Sequence, residues 1–278
     1  MVDKAMRYIA ENALKVVSLD TEGQTLKFGK TPFKTQGSVG MVGGDGSIKL
    51  HELIRWPREY LIDPSKPNFL TGSCWDDMKY GPNLTIVRSK VAELLLTADI
   101  IVLHGQNGDL RGLYFSLADY ERIKDKIRDI EAYYCHRRNG GSLALQFATY
   151  LIFGEVLQGR DYHYAIQDAY FTMLLYLADR EEIEKTYQRY KNNITIDKEG
   201  FSHVHYPPNK QMSGLIRRHM DEFGDWPHSI RSKKAPAKRR AAFDGVWEDE
   251  NDFYLEEMRV EGKEFVEPDS IPRRPLLI

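Results

Sequence analysis

Two short, unbroken apolar runs constrain this chain more than any other feature. Residues 15–19 (KVVSL) end at Asp20, and residues 99–103 (DIIVL) lead into the glycine-containing segment HGQNGDLRGL. Continuous runs of this length, rich in β-branched residues, are the pattern of strands buried on both faces. A parallel α/β sheet, covered by helices on each side, places two such strands next to one another. Both runs also deliver acidic residues to their exits. Asp20 and Glu22 lie two positions apart, so their side chains point to one face of the sheet. Asp109 follows the second run, in the first turn of an expected helix whose dipole favours a carboxylate there.

The rest of the chain can be organised around those strands. Residues 36–42 and 47–53 alternate about Gly43-Gly44-Asp45-Gly46 and read as a β-hairpin. A proline-containing link, 57–82, precedes apolar residues at helical spacing over 85–96. Asn107 is a candidate helix cap, 129–134 reads as an edge strand, and Ser142 caps an expected helix over 143–153 that stops at Gly154. A last long helix is expected from near His163 toward Ile183. Beyond about residue 190 the apolar periodicity fades, prolines accumulate, and the basic run RSKKAPAKRR precedes the acidic run EDENDFYLEE. That is the pattern of an extension with little core of its own. The expected organisation is an arm over 1–12, a catalytic domain over 13–185 and an extension over 186–278 that packs on the core or binds a protein partner.

Composition narrows the function classes. With 39 Lys and Arg against 41 Asp and Glu, the formal charge is −2, so any basic surface must be local. Cys74 and Cys135 form no C-x-x-C pair, which argues against a disulfide framework and a thiolate zinc site. No stretch approaches the roughly 20 apolar residues that span a bilayer, and the first residues lack the apolar core of a signal peptide. The expectation is a protein of the nucleus or cytoplasm with no membrane partner.

The segment HYAIQD adds a histidine and a further carboxylate. Five residues along an α-helix turn a side chain by roughly 140° beyond a full revolution. His163 and Asp168 therefore reach one site only if His163 lies on the loop leading into the helix. A histidine beside metal-binding carboxylates has the properties of a general base for water activation. Magnesium prefers hard oxygen ligands and keeps water, so Asp20, Glu22, Asp109 and Asp168 are candidate ligands. Each feature alone has an ordinary explanation: acidic residues are common at strand ends, and a histidine before a helix is more often a cap or a surface residue. Their order along one chain is the informative part.

With all five positions in register, the chain resembles the DEDDh 3′→5′ exonucleases, nearest to the interferon-stimulated and yeast REX-type RNA exonucleases. VVSLDTEG, LHGQNGDLRGL and HYAIQDAYFTMLLY resemble the three family motifs, and CHRRNGGSLALQFATYLIFG resembles the basic loop and helix before the third. The similarity covers about residues 13–185. It implies a ribonuclease-H-like mixed five-stranded sheet flanked by helices, and two Mg²⁺ or Mn²⁺ ions. Asp20, Glu22 and Asp168 would hold the first ion, with Asp20 bridging to the second. Asp109 would act on the second, partly through water, and His163 would deprotonate the attacking water. The implied activity is release of nucleoside 5′-monophosphates from the 3′ end of single-stranded RNA.

Two departures stand out: Gly23 occupies a position commonly Met or Thr in the family, and segment 24–36 is longer than usual before the second strand. Candidate substrate contacts are Gly23, Gln24, His104, Asn107, Arg137, Arg138 and Tyr164. His136, Arg160 and Tyr162 add to these, with Lys233, Lys234, Lys238, Arg239 and Arg240 as a second basic element. The preference for RNA rests on the resemblance alone. The alternatives are a DNA 3′→5′ exonuclease using the same residues, and a nuclease-like RNA-binding assembly subunit.

Overall fold

The computed structural model describes residues 2–28, 30–64, 73–136, 143–154 and 164–223, with Gln106 and Asn107 described by their backbone only. Its centre is a five-stranded sheet of β1 (Val16–Phe28), β2 (Thr31–Gly43), β3 (Ile48–Leu53), β4 (Ile100–Leu103) and β5 (Ile127–Asp129). The spatial order is β3-β2-β1-β4-β5. The first three strands pair antiparallel, while β4 runs parallel to both β1 and β5. This is the mixed ribonuclease-H-like arrangement expected above. The helices are α1 (Val2–Glu11), α2 (Trp75–Met78), α3 (Leu84–Thr97), α4 (Gln106–Gly112), α5 (Leu117–Glu121), α6 (Ile130–Tyr133), α7 (Leu145–Phe153), α8 (Ala165–Ala178), α9 (Arg180–Tyr190) and α10 (Lys210–Phe223).

The unbroken apolar runs are explained by burial on both faces. On one face Val16, Val42, Ile100 and Val102 pack with Ala169 and Met173 of α8. On the other, Val17, Leu19, Val39, Met41, Ile101 and Leu103 pack with Val87, Val91 and Leu95 of α3. Neighbouring residues on one strand thus serve opposite layers, as the two-residue period of a strand requires. Helix α1 joins the first layer through buried Ala5 and Ile9.

Local structure departs from the sequence reading at several points. Residues 24–36 are not a long loop: β1 and β2 continue as a ladder out to the pair Phe28 and Thr31. The edge strand expected over 129–134 is instead Ile127–Asp129, and Ile130–Tyr133 is helix α6, started by the Asp129 carboxylate, which accepts hydrogen bonds from the N–H groups of Glu131 and Ala132. An N-cap carboxylate satisfies donors that a strand would have left to a neighbour. The helix expected to run from about 163 to 183 breaks at Asp179 into α8 and α9. Helix α4 is preceded by Gly105 at φ +82, so Asn107 lies within the helix instead of capping it. Gly154 does end α7 in the left-handed conformation, and Asn83 caps α3 through a bond from the Ile86 N–H. Ser142 lies outside the described residues.

After α9 comes a small hairpin of β6 (Ile194–Ile196) and β7 (Ser202–Val204). It is fastened to α4 and α5. Arg111 forms ion pairs with Asp197 and with Glu199, and its guanidinium lies 5.3 Å from the Phe201 ring centroid. The Tyr120 hydroxyl donates to the Ser202 carbonyl at 3.0 Å. Helix α10 then contributes buried Met212 and Ile216 to the α8 layer. The residues of the basic and acidic runs lie outside the described part of the chain.

Candidate metal centre

The carboxylate face of β1 is set by its own register. Ser18, Asp20 and Glu22 alternate onto the α8 side, and Asp20 lies opposite Gly40 of β2. Helix α8 comes down on that point: a Cβ on Gly40 would sit 2.3 Å from the Ile166 nitrogen. Only a glycine lets the first turn of the helix approach so closely. The Ser18 hydroxyl donates to the Ala169 carbonyl at 2.7 Å, tying strand to helix one residue after Asp168. Asp168 is thereby delivered over β1 from the first turn of α8, where the helix dipole favours negative charge.

The result is a cluster in which one carboxylate oxygen each from Asp20, Glu22 and Asp168 lies within 4.8 Å of the other two. Asp109 stands just beyond this triad. Its Oδ1 accepts hydrogen bonds from the Thr21 hydroxyl at 2.6 Å and the Thr21 N–H at 3.0 Å. Asp109 and Asp168 are both buried, as is Glu22. Burial pushes the Glu22 carboxyl up to about 9, reinforced by the charge of Asp168 and a hydrogen bond with it. Burial likewise raises Asp20 well above the ordinary range, with Asp109, Asp168 and Glu22 each adding repulsion. Asp109 is pushed up to about 7 by burial, against the opposing effect of its bonds from Thr21.

Buried like charges at this spacing are costly without a cation. Asp20 Oδ2 is buried with no hydrogen-bond partner, an acceptor with nothing to accept. An all-oxygen donor set with a free acceptor fits a hard divalent ion. Asp20, Glu22 and Asp168 would hold it directly, and Asp109, held by Thr21, lies close enough for its charge to bear on Asp20.

The remaining sequence candidates divide into three groups. Gly23 sits at a register shift between β1 and β2, and Gln24 is buried next to it. His104 follows β4, its Nε2 buried without a partner, and its charge bears on Asp129. Tyr164 is the N-cap of α8. The helix thus begins after position 163, although His163 itself lies outside the described residues, as do Arg137, Arg138, Arg160 and Tyr162. Asn107 is placed by its backbone alone.

Four residues that organise the site were not picked out from the sequence: Ser18, Thr21, Gly40 and Asp129. Asp129 accepts from the Gly105 N–H at 3.1 Å and so fixes the turn that leads into the Asp109 helix. Of the four, only Gly40 carries a local signal, a glycine inside an apolar strand, which marks close approach of another backbone.

Comparisons with known proteins return no matching family model and no matching curated protein. Solved structures do share part of the architecture. The Neurospora crassa Pan2 catalytic unit, with protease and nuclease domains, is similar at a TM-score of 0.47 and 16% identity, over 63% of this chain and 28% of that one. The Saccharomyces cerevisiae Pan2 pseudoubiquitin hydrolase–RNA exonuclease module in complex with A7 RNA gives 0.46 and 17%, over 63% of this chain and 31% of that one. This chain therefore corresponds to less than a third of either neighbour. The chemistry of the site rests on its own side chains.

Proposed function

We propose that this protein is a metal-dependent 3′→5′ exoribonuclease of the DEDDh type, removing nucleoside 5′-monophosphates from single-stranded RNA. The observation that carries the proposal is the convergence of Asp20, Glu22 and Asp168, from a strand and a helix far apart in sequence, with an unsatisfied Asp20 oxygen among them. The order of the acidic motifs and their resemblance to that family supply the reaction class. The RNA preference draws on the same resemblance.

In this mechanism Asp20, Glu22 and Asp168 would hold one divalent ion, Mg²⁺ or Mn²⁺, and Asp109 would contribute to a second. When bound, such ions activate a water and stabilise the leaving oxygen of an in-line displacement. The chain's own work is to orient four carboxylates before substrate arrives. Thr21 holds Asp109, the seat of α8 on Gly40 holds Asp168, and the β1 register holds Asp20 with Glu22. His163 takes the proton of the attacking water. The water oxygen bonds to phosphorus, the bond to the 3′-oxygen breaks, that oxygen takes up a proton from solvent, and the shortened strand leaves with a 3′-hydroxyl. Gly23 leaves the terminal base without the side chain that commonly packs on it, which directs attention to other strand contacts.

The deciding experiment incubates 5′-end-labelled single-stranded RNA with Mg²⁺ or Mn²⁺. A ladder shortened from the 3′ end is expected, absent with chelator and absent for Asp20→Asn. Identical behaviour of wild type and variant would remove the proposed site. Matched DNA oligonucleotides test the substrate, and faster DNA cleavage would overturn the RNA assignment.

A further inference from the structure

Asp109 reaches the site from α4, an element too short to fix its own orientation. The helix has seven residues, two of them glycines, and Gly105 before it offers no side-chain cap. A helix of that length is marginal by itself, and each glycine weakens it further. Leu110 and Leu113 are buried and anchor this segment to the α3 layer. Apolar burial is non-directional, however, and leaves rotation about the helix axis open. Polar contacts, which have preferred directions, must set it. On one side of α4 these are the two hydrogen bonds from Thr21 to Asp109.

Two positions along a helix turn a side chain by about 200°, so Arg111 leaves α4 on the side away from Asp109. There it meets the β6–β7 hairpin. Its Nη2 pairs with Asp197 Oδ2, and with Glu199 Oε2 at 3.0 Å, while its guanidinium lies 5.3 Å from the Phe201 ring centroid. The turn of the hairpin is built around the same Asp197 carboxylate. Its Oδ1 accepts from the N–H groups of Glu199 and Phe201, each at 3.0 Å, and its Oδ2 also lies 3.0 Å from His203 Nε2. The hairpin has a seat that does not involve Arg111. Phe201 is buried with its ring 4.6 Å from that of Tyr120, and the Tyr120 hydroxyl accepts from the Ser202 N–H at 3.1 Å. What the Arg111 pairing adds is therefore a fixed orientation of α4.

We infer that the β6–β7 hairpin completes the metal centre by clamping α4 through Arg111, which makes Arg111 and Asp197 positioning residues for Asp109. Neither residue is among the carboxylates that would touch an ion; both act through the helix between them and the site. Asp109 faces the charges of Asp129 and Asp168, and repulsion favours any rotation of α4 that separates them. Thr21 resists that rotation from one side and the hairpin from the other. The hairpin lies beyond the catalytic domain expected over 13–185, so the clamp gives this part of the chain a role in catalysis. The inference rests on Asp109 acting as a metal ligand in the exonuclease reading. An ion pair that only stabilised the fold would have no link to Asp109, and that link can be measured.

Mn²⁺ binding is measured by calorimetry on the full chain, without RNA, for wild type, Arg111→Met, Arg111→Lys and Asp197→Asn. Arg111→Met keeps the apolar stem and removes the charge, and should weaken Mn²⁺ binding about tenfold, as loss of a group that orients a ligand commonly does. Asp197→Asn should act alike, since its Oδ1 can still build the turn. Arg111→Lys should retain most of the affinity, because a single nitrogen makes both ion pairs. In an Asp109→Asn background, Arg111→Met should leave the remaining affinity unchanged, because the clamp acts through Asp109. Thermal melting checks that each variant stays folded. Wild-type affinity in Arg111→Met, or the same loss when Asp109→Asn is already present, overturns the clamp. RNA shortening by Arg111→Met and Asp197→Asn should need about tenfold more Mn²⁺ and reach the wild-type kcat at saturation. If the binding results hold but wild type shortens no RNA, the clamp stands and the exonuclease reading falls. If RNA is shortened while the Arg111 and Asp109 effects simply add, the clamp falls and that reading stands.

Discussion

Strand β1 does two different jobs along its length. Its inner half, Val16 to Glu22, is enclosed: α8 covers one face, the α3 layer the other, and both Val16 to Ser18 and their β4 partners are buried. Its outer half, beyond Gly23, rests among the described residues on a small cluster of buried side chains, Leu26, Leu61 and Met78. The difference shows what each half can hold. Carboxylates can be kept at raised pKa and fixed geometry only where the surroundings cannot relax around them. The outer half has no such enclosure, and side chains such as Phe28 and Lys34 stay in water.

The sharpest break of this contrast is Asp20→Asn or Asp168→Asn. Either should lower metal-dependent RNA shortening by more than about 100-fold, because even partners outside the ligand set commonly cost ~10–100-fold. Timed gel assays measure it, and a loss below tenfold would mean that these groups do not share an ion. Thr21→Val removes the hydroxyl bond to Asp109 but keeps the backbone one, so a fall of about tenfold is expected. The Asp109 carboxyl should also move further up, and the pH profile of kcat should shift to higher pH. An unchanged profile would detach Thr21 from the site.

Gly40→Ala probes how tightly the enclosed half is packed. The new Cβ meets the backbone of Ile166, which cannot move as a flexible side chain can. A destabilisation of about 1–3 kcal/mol is expected in urea titration, with weaker metal binding. Full stability and full affinity together would show that the helix seat is adjustable.

The smallest effect expected is on melting. Glu22 and Asp109 have carboxyls raised by burial from 4.5 and 3.8 to about 9 and about 7. Folded protein without metal therefore binds more protons than unfolded chain at intermediate pH, and stability falls as pH rises. The contribution is full below the ordinary carboxylate range and is lost as pH passes about 7 and then about 9. In chelator the Tm should drop by several degrees between pH 6 and 9, and saturating Mg²⁺ should reverse most of that drop. A Tm indifferent to pH and to Mg²⁺ would mean the carboxylates carry no such tension. Together these measurements test how far the enclosed half of the strand depends on a bound cation.

Much of the enclosed half was legible in the residues themselves. KVVSL and DIIVL are strands because a run buried on both faces has no polar alternation to offer, and Asp20 and Glu22 share a face because a strand repeats every two residues. The outer half was misjudged as a loop. Polar and charged residues there suggest no buried face, and the lobe that covers Leu26 comes from residues 58–78, more than thirty positions away. Asp129 was misassigned for a related reason: a short strand ending in a capping carboxylate looks like a longer strand when only apolar residues are counted.

The sequence by itself determined the strand and helix character of the core, the positions of the acidic residues at the exits of the apolar runs, and their order. Tertiary structure alone decided that Asp20, Glu22 and Asp168 meet within 4.8 Å, and that Asp109 is held by Thr21. Local preferences act over a few residues, whereas these meetings depend on how closely a helix can settle on a sheet. At Gly40 that closeness was set by the absence of one carbon atom.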